Sequence, residues 1–167
     1  MPDDQGLPCQ DDPYDAGVAD LSPENLITAY CNGAFPMADP DGTVQFYCAN
    51  PRGIIPLDGL IVSRSLRQKI NRRTFEIRFN HNFEQVIRSC RDDRIEGSWI
   101  NDDIIEAYCR LHTIGLAHSV EAWHEGLLAG GLYGVGVGAA FFGESMFHRG
   151  TDASKVALVA LVERLKQ

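Results

Sequence analysis

The stretch from residue 118 to residue 147 constrains the fold most, because it holds three consecutive segments rich in β-forming side chains. Residues 118–124 form the first segment, and Glu125-Gly126 is a tight-turn signal. Residues 127–137 and 139–147 supply the second and third. Connections this short join antiparallel neighbours, since parallel strands need crossovers of about a dozen residues or more. We therefore predict an antiparallel sheet here.

One further strand and several helices are predicted on either side of these three strands. Residues 75–79 alternate apolar and polar side chains with the period of a half-buried strand, and residues 82–90 change to helical spacing. Asn101 is a typical N-cap for the next helix, and helical spacing returns at residues 153–165. The order strand, helix, helix, strand, strand, strand, helix predicts the α/β (α+β) class, a mostly antiparallel sheet flanked by helices.

The N-terminal part is less regular. Ser22-Pro23 signals the start of a short helix that Asn32-Gly33 ends, and residues 43–48 have the composition of a strand. We predict a rigid apolar loop at residues 33–37. The expected organisation has three parts, namely a flexible acidic tail (1–20), a small helix and strand subdomain (21–70) and the main domain (71–167).

Charge is distributed unevenly along the chain. The net charge is −8, yet residues 64–94 hold nine of the fifteen lysines and arginines against four acids. Five of these cations fall on one predicted short helix: Arg64, Arg67, Lys69, Arg72 and Arg73. They suit contact with the phosphates of an RNA acceptor stem, and the alternative is a solvated basic face.

The five cysteines and five histidines show no metal-ligand spacing, so we expect no metal and no cofactor. No segment approaches the roughly 20 apolar residues of a membrane span, and the acidic N-terminus differs from a signal peptide. We therefore expect a cytoplasmic protein without a membrane partner.

Four motifs are more specific than composition. They occupy residues 33–37 (Gly-Ala-Phe-Pro-Met), 96–100 (Glu-Gly-Ser-Trp-Ile), 130–135 (Gly-Gly-Leu-Tyr-Gly-Val) and 142–147 (Phe-Gly-Glu-Ser-Met-Phe). Together they resemble the leucyl/phenylalanyl-tRNA–protein transferase family, and the similarity extends over residues 21–163. The resemblance implies a fold like that of the acyl-CoA N-acyltransferases (GNAT-like).

The resemblance also implies a function. The family moves Leu or Phe, and also Met, from aminoacyl-tRNA to the N-terminal Arg or Lys of acceptor proteins, which marks them for degradation. We expect a monomer. The family's D-x-Q strand, which follows the last helix, is absent from this sequence, so the resemblance implies a domain that lacks the last strands of the fold.

Glu144 is the candidate catalytic residue. A carboxylate between Phe142 and Met146 is costly unless it is paired or used in chemistry. It could orient or deprotonate the incoming amine, or bind the acceptor's basic N-terminal residue. The alternative is a structural carboxylate satisfied by backbone amides or by an arginine.

Six further residues match substrate-binding positions of the family. Leu132, Phe141 and Met146 match its pocket for the transferred side chain, although the sequence alone favours ordinary core packing and only the resemblance favours the pocket. The others match positions near the terminal adenosine or elsewhere in the site: Met37, Trp99 and Tyr108. The hypothesis requires the carboxylate and an apolar recess on one sheet, within reach of the basic surface.

Two alternatives remain open from the sequence. One is a GNAT-type acetyltransferase that uses acetyl-CoA, since residues 149–155 precede a helix whose free amides could receive an anion. The other is a non-catalytic module that binds tRNA or protein N-termini.

Overall fold

A computed structural model describes residues 19–49, 51–94 and 97–167. Most of the predicted acidic tail, residues 1–18, lies outside the described residues, and so does Glu96 of the second motif.

The N-terminal part begins with α1 (Pro23–Cys31), whose N-cap Ser22 accepts the amide of Asn25. It is followed by β1 (Ala34–Ala38) and β2 (Val44–Cys48), which form an antiparallel pair. The prediction of a loop at residues 33–37 was therefore wrong. A two-stranded sheet consists of edge strands only, and an edge strand can accommodate a proline, here Pro36, which lacks the amide hydrogen.

After α2 (Arg64–Asn71) the elements follow the predicted order. They are β3 (Glu76–Phe79), α3 (Phe83–Asp92), α4 (Asp102–Thr113), β4 (Ala117–His124), β5 (Leu127–Val137), β6 (Ala140–His148) and α5 (Ala153–Leu165).

The second sheet has the strand order β3-β4-β5-β6, and every neighbouring pair is antiparallel. The turn between β4 and β5 places Glu125 at φ 50° and Gly126 at φ 78°, as the twist of a two-residue hairpin requires. The predicted α+β class, with helices against an antiparallel sheet, is confirmed.

Helices cover both faces of this sheet. On one face α1, α3 and α4 form the larger core, to which Leu26, Ile104 and Leu111 contribute fully buried side chains. On the other face α5 packs on β4 and β5 and buries Leu132 and Leu161, and α2 packs against α5. We call these two sides of the sheet the α4 face and the α5 face.

The proposed division at residue 70 stays a prediction, although Leu26 and Tyr30 of α1 share one core with Ile104 of α4. Among the described residues, no helix has the length and apolar character needed to cross a membrane.

Candidate active site

A β-bulge in β6 places Glu144. Tyr133 pairs with Ser145 and Gly134 pairs with Gly143, so Glu144 has no opposite residue on β5. A bulge of this kind redirects side chains, and here both Glu144 and Ser145 reach partners on the α4 face. The strands approach closely at this point, because a Cβ on Gly134 would lie 2.2 Å from the carbonyl oxygen of Phe142.

Two buried tyrosines meet the carboxylate. The Tyr108 hydroxyl, on α4, donates to Glu144 Oε2 at 3.3 Å. The hydroxyls of Tyr108 and of Tyr30 on α1 are hydrogen-bonded to each other. Both side chains are almost inaccessible, with exposed fractions of 0% for Tyr108 and 2% for Tyr30. A helix from each half of the chain therefore fixes the position of one carboxylate.

Burial raises the pKa of Glu144 from 4.5 to about 7, although the hydrogen bonds from Tyr30 and Tyr108 and the charge of Arg52 act to lower it. Desolvation penalises the charged form of a carboxyl group. A group whose pKa lies near the ambient pH can both take and return a proton, as general acid–base chemistry requires.

Arg52 lies beside this site in the loop after β2. Its Nη2 donates to the Gly33 carbonyl at 2.9 Å. Its guanidinium carbon lies 5.2 Å from the ring centroid of Phe35 on β1 and 5.4 Å from that of Phe142 on β6. We did not select Arg52 from the sequence.

Met37 and Trp99 belong to adjoining segments. Met37 lies on β1, and the next residue, Ala38, donates its amide to the Trp99 carbonyl at 2.9 Å. Both side chains are half-buried, and Trp99 packs against the larger core. With Tyr108, the structure thus groups three of the predicted substrate-binding residues with the elements of the α4 face.

Leu132, Phe141 and Met146 also lie together, but on the α5 face. Leu132 is 3% exposed and packs with Leu161 of α5. Phe141 lines a recess of about 330 Å³ that α5 partly covers. Met146 pairs with Leu132 across the strands and is 46% exposed. Leu132 on β5 and Phe141 and Met146 on β6 therefore point to the face of the sheet opposite to that of the Glu144 carboxylate. The structure does not bring the carboxylate and this recess together on one face.

The predicted tRNA-binding residues lie on and just after α2. Arg64, Arg67, Arg72 and Arg73 are exposed, and no ion pair joins them to the parts of the chain that the structure describes. Lys69 is different, since its Nζ donates to the Thr151 carbonyl at 2.8 Å and pairs with Asp152 at 3.0 Å. Because α2 packs on α5, this basic group lies on the α5 side.

The start of α5 bears on the acetyltransferase alternative. A recess of about 450 Å³ is present there, and Asp152 and Lys155 are among its lining residues. Asp152 is the N-cap, and Lys69 and Lys155 both pair with its carboxylate. The two lysines outweigh the single charge of Asp152, and Arg149 also lines the recess, so the charges at this place do not exclude an anion such as a pyrophosphate.

Glu121 is a fully buried carboxylate, and its role is structural. Its oxygens accept hydrogen bonds from the amides of His81 and Asn82, the Ser119 hydroxyl and the Trp123 indole, all at 2.8–3.0 Å. With these four hydrogen bonds, the Glu121 carboxylate connects the start of α3 to the sheet. Glu144 has fewer partners and a raised pKa, and this combination is typical of an enzyme's acid–base site.

Comparison with known proteins identifies the enzyme family. The profile of the leucyl/phenylalanyl-tRNA protein transferase N-terminal domain matches residues 19–50, and that of leucyl/phenylalanyl-tRNA protein transferase matches residues 54–167. The chain belongs to this family.

Similar proteins from several bacteria carry the name leucyl/phenylalanyl-tRNA–protein transferase. That of Akkermansia muciniphila is 53% identical over 149 residues, which cover 87% of this chain and 77% of the relative. That of Rubrobacter xylanophilus is 54% identical, and the match covers 88% of this chain and 76% of the relative. That of Herpetosiphon aurantiacus is 53% identical, and the match covers 87% of this chain and 75% of the relative.

Proposed function

We propose that this chain transfers Leu or Phe, and also Met, from aminoacyl-tRNA to proteins that begin with Arg or Lys, with Glu144 as the acid–base group. The names of its relatives support the tRNA and protein substrates. The observation that carries the proposal is the carboxyl of Glu144, which has a pKa of about 7 and accepts a hydrogen bond from Tyr108.

The reaction needs little activation. The amine nitrogen forms a bond to the ester carbonyl carbon, the bond to the ribose oxygen breaks, and one proton passes from the amine to that oxygen. An α-amine has a pKa of about 7.7–8.0, so a carboxylate with a pKa near 7 is well matched to accept its proton. Tyr108 holds the carboxylate in place for this exchange.

Substrate binding is assigned to residues on both sides of the four-stranded sheet, near β6. Met37 and Trp99 contact the terminal adenosine, while Leu132, Phe141 and Met146 bind the transferred side chain. Met146 is exposed and lies two residues from Glu144, so a substrate that crosses the edge of β6 can reach both faces. An apolar side-chain pocket discriminates by about 1–3 kcal/mol per methylene.

The exposed arginines on and after α2 supply phosphate contacts for the acceptor stem. Arg64, Arg67, Arg72 and Arg73 have no carboxylate partners among the described residues. Lys69 adds positive charge to the same surface, although its ion pair with Asp152 also fixes α2 in place.

A transfer assay tests the proposal. We expect labelled leucine and phenylalanine to pass from their tRNAs to a peptide that begins with Arg or Lys, and not to a matched peptide that begins with Ala. Acetylation of the Arg peptide by acetyl-CoA would favour the acetyltransferase alternative. Binding of the charged tRNA without any transfer would favour a non-catalytic module.

A further inference from the structure

We propose that Arg52 is a positioning residue for the Glu144 carboxylate, since it ties the β1–β2 hairpin to β6 and supplies the positive charge that favours the ionised form. The inference rests on the proposed role of Glu144 in aminoacyl transfer.

The contacts of Arg52 connect three segments. Its Nη2 donates to the Gly33 carbonyl immediately before β1, and its guanidinium contacts the rings of Phe35 on β1 and Phe142 on β6. Phe142 is two residues from Glu144, and its ring centroid lies 5.1 Å from that of Tyr30. Arginine suits this position because its planar cation stacks on aromatic rings and donates in a fixed direction.

Besides Arg52, the groups around Glu144 are chiefly tyrosines, and the buried Cys90 of α3 lies at the neighbouring Ser145. The titratable or charged side chains that act on its carboxyl from the elements packed around it are Tyr30 of α1, Tyr108 of α4, Tyr133 of β5 and Arg52. Burial holds the pKa values of all three tyrosines well above the usual value, so they stay neutral. Arg94 donates to the neighbouring Ser145 at 3.0 Å. Within the described residues, Arg52 is thus the cation that acts on Glu144.

This arrangement makes the charge of Arg52 consequential. The Glu144 carboxyl loses its proton near neutral pH and is desolvated. The positive charge of Arg52 offsets part of the free-energy cost of the negative charge that then forms. Without the cation the carboxyl would keep its proton to higher pH, so fewer molecules would hold the base form at neutral pH.

Three variants separate charge from packing. Arg52→Met removes the charge and keeps much of the apolar stem, Arg52→Gln removes the charge and keeps a hydrogen-bond donor, and Arg52→Lys keeps the charge. The single-turnover transfer rate is measured against pH with leucyl-tRNA and a peptide that begins with Arg. The acceptor amine titrates equally in every reaction, so differences between variants report on the protein.

We expect the Met and Gln variants to shift the acid limb to higher pH. A shift of about half a pH unit lowers the rate about threefold on the acid side and has little effect on the alkaline plateau. The Lys variant keeps the limb of the unmodified protein. A loss by the same factor at every pH in all three variants would assign Arg52 a structural role only and overturn the proposal, and so would an unshifted limb.

A second measurement needs no substrate. A ¹³C NMR titration of labelled glutamate carboxyls, with Glu144 assigned from the signal missing in Glu144→Gln, should show a higher pKa in the Met and Gln variants. This shift would uphold the inference even if the protein transferred no amino acid, whereas an unchanged Glu144 titration would refute it independently of the proposed function.

Discussion

The raised pKa of Glu144 makes this residue costly to stability at alkaline pH. In the unfolded chain the carboxyl titrates near the ordinary value of 4.5, whereas in the folded protein its pKa is about 7. The folded state therefore binds the proton more tightly. The stabilisation that the folded state gains from this tighter proton binding is fully present below the pKa of the unfolded chain. It is lost as the pH rises through the pKa of the folded protein.

Glu144→Gln removes this pH dependence. A difference of about 2.5 pKa units at about 1.36 kcal/mol each amounts to about 3 kcal/mol. We expect the variant to be more stable than the unmodified protein by about this amount at about pH 8.5, and equally stable near pH 4.5, where the native carboxyl is already neutral. For a chain of this size, 3 kcal/mol corresponds to a rise of about 6–12 °C in Tm.

Urea denaturation of both proteins at the two pH values measures the effect. All other groups titrate alike in the two proteins, so the difference between the pH values isolates residue 144. A variant that is less stable at high pH would show that the site stabilises the ionised carboxylate. A gain of equal size at both pH values would assign the change to packing, and either result would refute the reasoning.

Three further predictions concern other parts of the fold. Tyr133→Phe should leave stability unchanged or raise it by about 1 kcal/mol in thermal melts, because the Tyr133 hydroxyl is buried without a hydrogen-bond partner among the described residues. Gly134→Ala should cost about 2 kcal/mol or more, since its Cβ would lie 2.2 Å from a carbonyl oxygen of β6, and a variant of unchanged stability would contradict the tight approach at the bulge. Arg64→Ala combined with Arg67→Ala should reduce the slope of log K against log salt for tRNA binding by about 0.7–0.9 per arginine, whereas the control Arg110→Ala, at a cation paired with Glu106 on α4, should leave it unchanged.

The element order could be predicted because its signals are local. The Asn101 side chain accepts the Ile104 amide at 2.9 Å, as its N-cap position predicts, and the Glu125-Gly126 turn joins β4 to β5. The strand at Pro36 was missed because its pairing with β2, rather than its own composition, stabilises it.

The arrangement of the site depends on contacts between distant residues, which no local pattern encodes. Tyr30 and Tyr108 are 78 residues apart, and Lys69 meets Asp152 at a separation of 83 residues. The sequence suggested that Glu144 was unusual because of its apolar neighbours. It did not reveal the bulge, because Phe141 and Phe142 before it and Met146 and Phe147 after it are apolar on both faces, so the change of phase in β6 is not visible in the sequence.

The account depends on one carboxylate, and a single-turnover comparison tests it directly. The rate at which leucine passes from leucyl-tRNA to a peptide beginning with Arg is measured for the unmodified protein and for Glu144→Gln, with leucyl-tRNA binding as a control. We expect the rate to fall by about 10²–10⁴-fold while tRNA affinity stays the same. If the rate of Glu144→Gln falls by only about threefold or less, the result would contradict a role for Glu144 in proton transfer.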